Sequence, residues 1–212
     1  MNSRLRSLAV LALVLAAPVA GAQSINRSAT GLASATQTLT FEGQSGAVGS
    51  QFAAQGVTFG SGAFFDASGY FSGSGGAGTA VNNFGNGVVN PIDIFFTNAI
   101  QGVAFQFITN PGTTTFTALL GGSTVSTFSA STDLNGWFGN ATEFYGFDNS
   151  VALDQIQINV NTADGNNGAL ALDNLETGAL ATPEPASMTL VATGLIGIFG
   201  VARRRRRNRS AV

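Results

Sequence analysis

Short segments in which apolar and polar residues alternate recur through the middle of the chain. The segment "GVAFQFI" at 102–108 places its valine and phenylalanines on one side, and "QIQINV" at 155–160 alternates isoleucine with glutamine. A period of two residues is typical of a β-strand with one buried face. Seven further segments predict strands: "QTLTF" (37–41), "VTF" (57–59), "IDIFFT" (92–97), "TTFTALL" (114–120), "STVSTF" (123–128), "EFYGF" (143–147) and "ALALDNLE" (169–176). The pattern therefore predicts about nine strands.

Turn sequences such as "NPGT", "LGGS" and "DGNNG" separate these segments, and no amphipathic helical pattern lies between them. We therefore expect an all-β domain over residues 36–180, an antiparallel β-sandwich of jelly-roll-like type with one apolar face of each sheet turned inward. Residues 23–35 are predicted to form a flexible lead-in. The glycine-rich stretch at 72–80 is predicted to form a mobile loop.

The N-terminus has the three parts of a secretory signal peptide. Arg4 and Arg6 precede an apolar run, and the small residues Ala20 and Ala22 follow it. This order predicts that signal peptidase cuts after Ala22 and removes residues 1–22. The alternative is a helix that packs in the core of the folded domain.

The C-terminus combines an apolar stretch with a block of arginines. Residues 186–202 carry no charge, and as a helix they extend about 26 Å, slightly less than the roughly 30 Å hydrocarbon core of a membrane. We therefore predict a transmembrane helix, with the arginines that follow it held on the cytoplasmic side as a stop-transfer block. These arginines are Arg203, Arg204, Arg205, Arg206, Arg207 and Arg209.

A Pro-Glu-Pro strip, Pro183, Glu184 and Pro185, precedes the apolar stretch. Two prolines keep such a strip extended and outside any sheet. Together with the helix and the arginines, it resembles the PEP-CTERM sorting signal of Gram-negative bacteria, here over residues 181–212. The resemblance implies a precursor anchored in the inner membrane, processed by an exosortase and delivered to the outer surface or the extracellular matrix.

The charge and composition of the region between the two ends exclude several classes of function. Between Gln23 and Thr182 there are ten acidic side chains and one basic one, Arg27, for a net charge of −9. Such a domain repels nucleic acid, so we expect no nucleic-acid partner. The chain contains no cysteine and no histidine, which excludes Ser-His-Asp and Cys-His nucleophiles, ordinary zinc sites and haem ligation by histidine. We expect no enzymatic activity, although a carboxylate pair of the glycosidase type needs neither residue.

Glu42 follows the first predicted strand, and Asp173 and Asn174 lie in the last. In a jelly roll these residues could meet at one sheet edge and hold a structural calcium ion, because calcium prefers oxygen ligands. The alternative is that Asp173 and Asn174 cap a turn through local bonds to the backbone.

The stretch "DLNGWFGN" offers candidate sugar-binding residues. An exposed Trp137 or Phe138 could stack on a sugar ring while Asp133, Asn135 or Asn140 bind its hydroxyls. The alternative is a loop that folds these aromatic rings onto the core.

The order of "FEG", "QFAAQGVTF" and "ALDNLE" resembles β-sandwich ectodomains that commonly precede this sorting tail, some of them related in shape to carbohydrate-binding modules. The expected function is a structural or exopolysaccharide-associated protein of the cell surface or biofilm matrix. Two alternatives stay open, a dedicated carbohydrate-binding module and a glycan-active hydrolase.

Overall fold

The computed structural model describes residues 23–67, 79–132, 142–162 and 168–178. The chain divides into two units, residues 1–179 and 180–212, and the second lies outside the described residues. Among the described residues, no helix has the length and apolar content to cross a membrane. The predicted signal peptide and transmembrane helix both fall outside them and remain predictions.

Ten antiparallel strands and one short 3-10 helix, Ala53–Gln55, account for the secondary structure of these ranges. The predicted all-β antiparallel sandwich is confirmed. The strands are β1 (Gln23–Ser28), β2 (Gln37–Leu39), β3 (Val57–Phe59), β4 (Phe64–Asp66), β5 (Ala80–Asn82), β6 (Ile92–Thr109), β7 (Gly112–Leu120), β8 (Ser123–Thr132), β9 (Phe144–Thr162) and β10 (Leu170–Gly178).

Two long strands, β6 and β9, each take part in both layers of the sandwich. Residues 92–95 of β6 pair with 155–158 of β9, and further along residues 102–106 pair with 144–148. The register shifts between these two stretches. The first layer, called the first sheet below, contains β3, the first part of β6, the second part of β9, β7 and β8. The second sheet contains the other parts of β6 and β9 with β1, β10, β5, β4 and β2.

Aromatic rings from the two sheets meet between them. Phe116 on β7 lies 5.4 Å from Phe107 on β6 and 5.4 Å from Tyr145 on β9, measured between ring centroids. Phe128 on β8 lies 5.2 Å from Phe147 on β9. Burying one such ring contributes about 1.5–3 kcal/mol, so these contacts are a large part of what holds the two sheets together.

The structure corrects three details of the sequence prediction. The lead-in at 23–35 is not wholly flexible, because its first six residues form β1; a single buried residue, Ile25, leaves no alternation to detect. The predicted loop at 72–80 overlaps β5, which begins at Ala80. The strands predicted at 92–97 and 102–108 are one continuous strand, β6, and those predicted at 143–147 and 155–160 are likewise parts of one strand, β9. A bend within a strand is read as a break when only the side-chain pattern is available.

Candidate functional site

Asp173 lies in β10, a strand that is paired with other strands on both sides. β10 pairs with β6 along most of its length and also with β5 and β2. The whole run from Leu170 to Asp173 is buried, and no surface of Asp173 is exposed to solvent. A buried carboxylate is costly unless it is protonated, paired or bound to a cation.

The two carboxylate oxygens of Asp173 differ in their partners. The backbone N–H of Asn174 donates to Oδ1 at 2.6 Å, whereas Oδ2 is buried without a hydrogen-bond partner. The pKa of Asp173 is raised to about 7, mainly because the carboxylate is buried; the hydrogen bond from Asn174 opposes this rise, and the negative charge of Glu42 adds to it. The charge of Glu42 therefore acts on Asp173, and the joint calcium site predicted for these residues stays a prediction.

Asn174 interrupts the regular pairing of β10. Its φ angle is 48°, in the left-handed region that few residues other than glycine adopt. The register between β10 and β6 shifts after Asp173, which is a β-bulge. The Asn174 side chain donates from Nδ2 to Oε1 of Gln106 at 2.6 Å. The bulge thus fixes the direction of the asparagine amide beside the buried carboxylate.

The geometry around Asp173 can be compared with the two predictions for it, a calcium site with Glu42 and Asn174 or a turn capped by local bonds. The bond from Asn174 N–H to Asp173 is a local side-chain to backbone bond, as the capping alternative predicts. It accounts for only one of the two oxygens, since Oδ2 has no donor. Across the described ranges, no group of three or more His, Cys, Asp or Glu is placed to hold a metal. A cation here would therefore need amide or backbone oxygens as well as the two carboxylates, and calcium accepts such ligands.

The single cation of the predicted mature domain, Arg27, has a structural partner. Its guanidinium donates to both carboxylate oxygens of Glu143, at 2.9 to 3.2 Å. The Tyr145 hydroxyl donates to the same carboxylate at 3.1 Å. The hydrogen bond and the charge of Glu143 raise the pKa of Arg27. This ion pair ties β1 to the start of β9.

A groove of about 390 Å³ runs along β1 and the segment after it. Small polar side chains line much of it, including Ser24, Asn26 and Thr30, with Asp148 on the opposite strand. No aromatic ring is among its lining residues. The groove therefore lacks the flat apolar surface on which a sugar ring would pack.

A second polar surface is the outer side of the first sheet, here called the Phe95 face. Phe95, on β6 between β3 and β9, is 39% exposed on this face. The alternation in "IDIFFT" is a sequence signal for this exposure, because a strand that buries Ile92, Ile94 and Phe96 turns Asp93 and Phe95 outward. The face consists of Thr58, Asp93, Phe95, Thr113, Thr115, Thr117, Leu119, Thr127, Ser129, Ser131, Gln155, Gln157, Asn159 and Asn161.

Several of the predicted site residues lie outside the described ranges. These are the sugar-binding candidates Asp133, Asn135, Trp137, Phe138 and Asn140, the cleavage residues Ala20 and Ala22, and every residue of the sorting tail. They stay predictions as far as their geometry is concerned.

Residues 181–207 match a family model described as the PEP-CTERM protein-sorting motif. The chain carries a PEP-CTERM sorting motif. The matched range contains the Pro-Glu-Pro strip, the apolar stretch and five of the six arginines, so the resemblance seen in the sequence is confirmed there. A PEP-CTERM motif implies export, a membrane-anchored precursor and processing by an exosortase.

Solved structures resemble the described fold only distantly. A carbohydrate-binding module of Clostridium stercorarium in complex with cellobiose is 13% identical, with a TM-score of 0.36, over 73% of this chain and 97% of that one. The catalytic domain of Agl-KA is 13% identical, with a TM-score of 0.37, over 76% of this chain and 31% of that one. An isomaltodextranase of Arthrobacter globiformis in complex with panose is 19% identical, with a TM-score of 0.33, over 72% and 33%. No curated protein sequence matches the chain.

Proposed function

We propose that the chain is the precursor of a non-enzymatic surface or matrix protein of a Gram-negative bacterium. Signal peptidase removes residues 1–22, and the helix at 186–202 holds the precursor in the inner membrane. An exosortase then processes the tail near the Pro-Glu-Pro strip. The observation that carries this proposal is the sorting motif at residues 181–207, with its arginines placed directly after the apolar stretch.

The mature domain then associates with exopolysaccharide in the extracellular matrix. Its composition supports this role, because a domain with only eleven charged side chains among residues 23–182, ten of them acidic, offers a mostly uncharged polar surface. A dedicated carbohydrate-binding module is the alternative that the exposed Phe95 favours. Both versions place the ligand on the domain surface, with no chemical step.

A glycan hydrolase fits the described residues less well. Such an enzyme needs two carboxylates that reach a sugar from opposite sides. Glu143 is bound by Arg27, Glu176 accepts the backbone N–H of Leu32 at 2.6 Å, and Asp173 is fully buried. Asp173 therefore cannot act on a substrate together with Glu42.

Calcium is the second part of the proposal. We propose that Glu42, Asp173 and the Asn174 amide oxygen hold a structural calcium ion, because the unpartnered Oδ2 of Asp173 is a buried acceptor that a cation would satisfy. The ion would join the loop after β2 to the last strand. It would supply charge compensation and rigidity only.

Replacing Pro183, Glu184 and Pro185 together with alanine tests the sorting step. The variant should stay in the inner-membrane fraction at its uncut mass, because the strip that the exosortase is proposed to recognise is gone. Pro111→Ala, in an exposed turn of the ectodomain, is the matched control and should be processed normally. Normal release of the triple variant would show that the strip is not the processing signal.

A further inference from the structure

We propose that the Phe95 face binds a neutral polysaccharide, with the ring of Phe95 as its central contact. This inference rests on the proposed association with exopolysaccharide. It adds the surface that makes the contact and the chemical class of the glycan. The sugar contacts predicted from the sequence, Trp137 and its neighbours, lie in a different part of the chain.

The Phe95 ring is exposed at a rigid position of the fold. Its neighbours along β6, Ile94 and Phe96, are both buried in the core. Its cross-strand partners are Thr58 on β3 and Gln155 on β9, so strands flank it on both sides. An aromatic ring held in this way offers a flat apolar surface, and the C–H side of a pyranose ring packs on such a surface.

Polar groups next to the ring are held in fixed directions. Gln155 and Gln157 each donate from Nε2 to Oδ1 of Asp93, at 2.9 and 3.1 Å. Asp93 and Phe95 are two residues apart on β6 and share its outer side. A flat ring beside a few oriented amides and a carboxylate is the combination that orients and binds sugar hydroxyls. Because these amides are already ordered, binding would cost little side-chain entropy.

Hydroxyl groups continue the polar surface away from the ring. Thr117 lies opposite Gln157 on one side and Thr127 on the other. The Thr115 and Ser129 hydroxyls lie 2.9 Å apart, and those of Thr117 and Thr127 lie 3.4 Å apart. Neighbouring strands are about 4.8 Å apart, and outward residues of one strand repeat about every 6.7 Å. The face is therefore long enough for several sugar units, which favours a polymer over a single sugar.

The charge of this surface favours a neutral glycan. Asp93 is the single charged residue of the Phe95 face. The sequence contains no lysine or arginine from residue 28 to residue 202, and Arg27 is bound to Glu143. A uronate or sulfate group would meet a negatively charged domain with no cation on this face to pair with it. Binding should accordingly change little with salt concentration.

The test measures binding of the mature protein, expressed and processed in its native host, to that host's exopolysaccharide and to insoluble cellulose and β-1,3-glucan. Phe95→Ala should weaken binding at least about tenfold, the effect of losing a central aromatic contact. Phe95→Trp should retain binding. Leu120→Ala is the matched control, because Leu120 at the end of β7 is 37% exposed, close to the value for Phe95. Thr117→Val and Gln157→Leu should each weaken binding without changing the urea midpoint of unfolding.

The results of these binding measurements distinguish an error in the Phe95 face from an error in the proposed association with polysaccharide. If the wild type binds a polysaccharide and Trp137→Ala loses binding while Phe95→Ala keeps it, the Phe95 face is wrong and the proposed function stands. If the wild type binds none of these polysaccharides, the proposed association itself is wrong, and this inference fails with it. If Phe95→Ala abolishes self-association of the protein and leaves glycan binding unchanged, the face contacts a second copy of the chain, and the proposal is overturned.

Discussion

Replacing Asp173 with asparagine should stabilise the calcium-free protein at neutral and alkaline pH. The carboxylate is fully buried and its Oδ2 has no hydrogen-bond partner. Its pKa rises from an ordinary value of 3.8 to about 7. At about 1.36 kcal/mol per pKa unit, keeping Asp173 ionised costs about 4 kcal/mol. This is an upper bound on the gain from the neutral amide, because rearrangement around a buried charge reduces its cost.

The pH dependence follows from the difference between the folded and unfolded chains. Between about pH 4 and pH 7, the folded protein keeps the Asp173 proton that the unfolded chain has already released. The contribution of this protonated group is complete below pH 4 and is lost as the pH rises through 7. The free energy of unfolding of the wild type should therefore fall over this range relative to that of Asp173→Asn.

Urea unfolding of the mature protein at pH 4, 5.5, 7 and 8.5, in the presence of EDTA, measures this difference. Asp154→Asn removes a carboxylate near the β7–β8 turn, where Asp154 accepts the Gly121 N–H, and controls for the change in net charge. Parallel pH profiles for the wild type and Asp173→Asn would refute the reasoning. Repeating the series with calcium tests the metal proposal separately: calcium should stabilise the wild type at pH 8.5 and leave Asp173→Asn unchanged. If calcium has no effect on the wild type, the calcium site is wrong, whatever the pH profile shows.

Two further substitutions test the packing around the sheets by urea midpoint. Asn83→Ala should destabilise the domain by about 2 kcal/mol or more, because the buried amide donates to the Val89 carbonyl at 2.8 Å and accepts from Leu170 N–H at 2.8 Å; an unchanged midpoint would show that water replaces these bonds. Gly146→Ala should cost about 3 kcal/mol or more, because Gly146 has a φ of 152° and an added Cβ would collide with the Val103 carbonyl. A stable Gly146→Ala protein would contradict the close approach of β9 to β6.

The sheet-forming segments were predictable because burial on one face imposes a period of two. Ile156 and Ile158 are fully buried while Gln157 between them is not, as the alternation predicts. β1 was not predicted, because its backbone pairs with β9 while only Ile25 is buried. The continuity of β6 was also missed, since its register with β9 shifts where the strand passes from one sheet to the other. The alternation of apolar and polar residues within a short segment shows which side chains are buried. Which strands pair with each other depends on residues that are distant in the sequence.

The candidate sites were predictable to different degrees. The sequence order placed Glu42 after the first predicted strand and Asp173 in the last, and in the structure the charge of Glu42 contributes to raising the pKa of Asp173. The complete burial of Asp173 was not predictable, because four consecutive residues of β10, Leu170 to Asp173, are buried, and an alternating pattern does not show that both faces of the strand are covered there. The polar surroundings of Phe95 could not be predicted from the sequence. They depend on the register of five strands, which brings polar side chains from distant segments onto the same face as this ring.

The central claim is that the chain is an exported precursor that loses both of its ends. The most direct test is the intact mass of the protein recovered from each fraction of its native host. We predict a mature chain in the medium or at the outer surface that begins at Gln23 and ends close to the Pro-Glu-Pro strip, without the arginine block. Recovery of the full 212-residue chain as a soluble cytosolic protein would contradict the account.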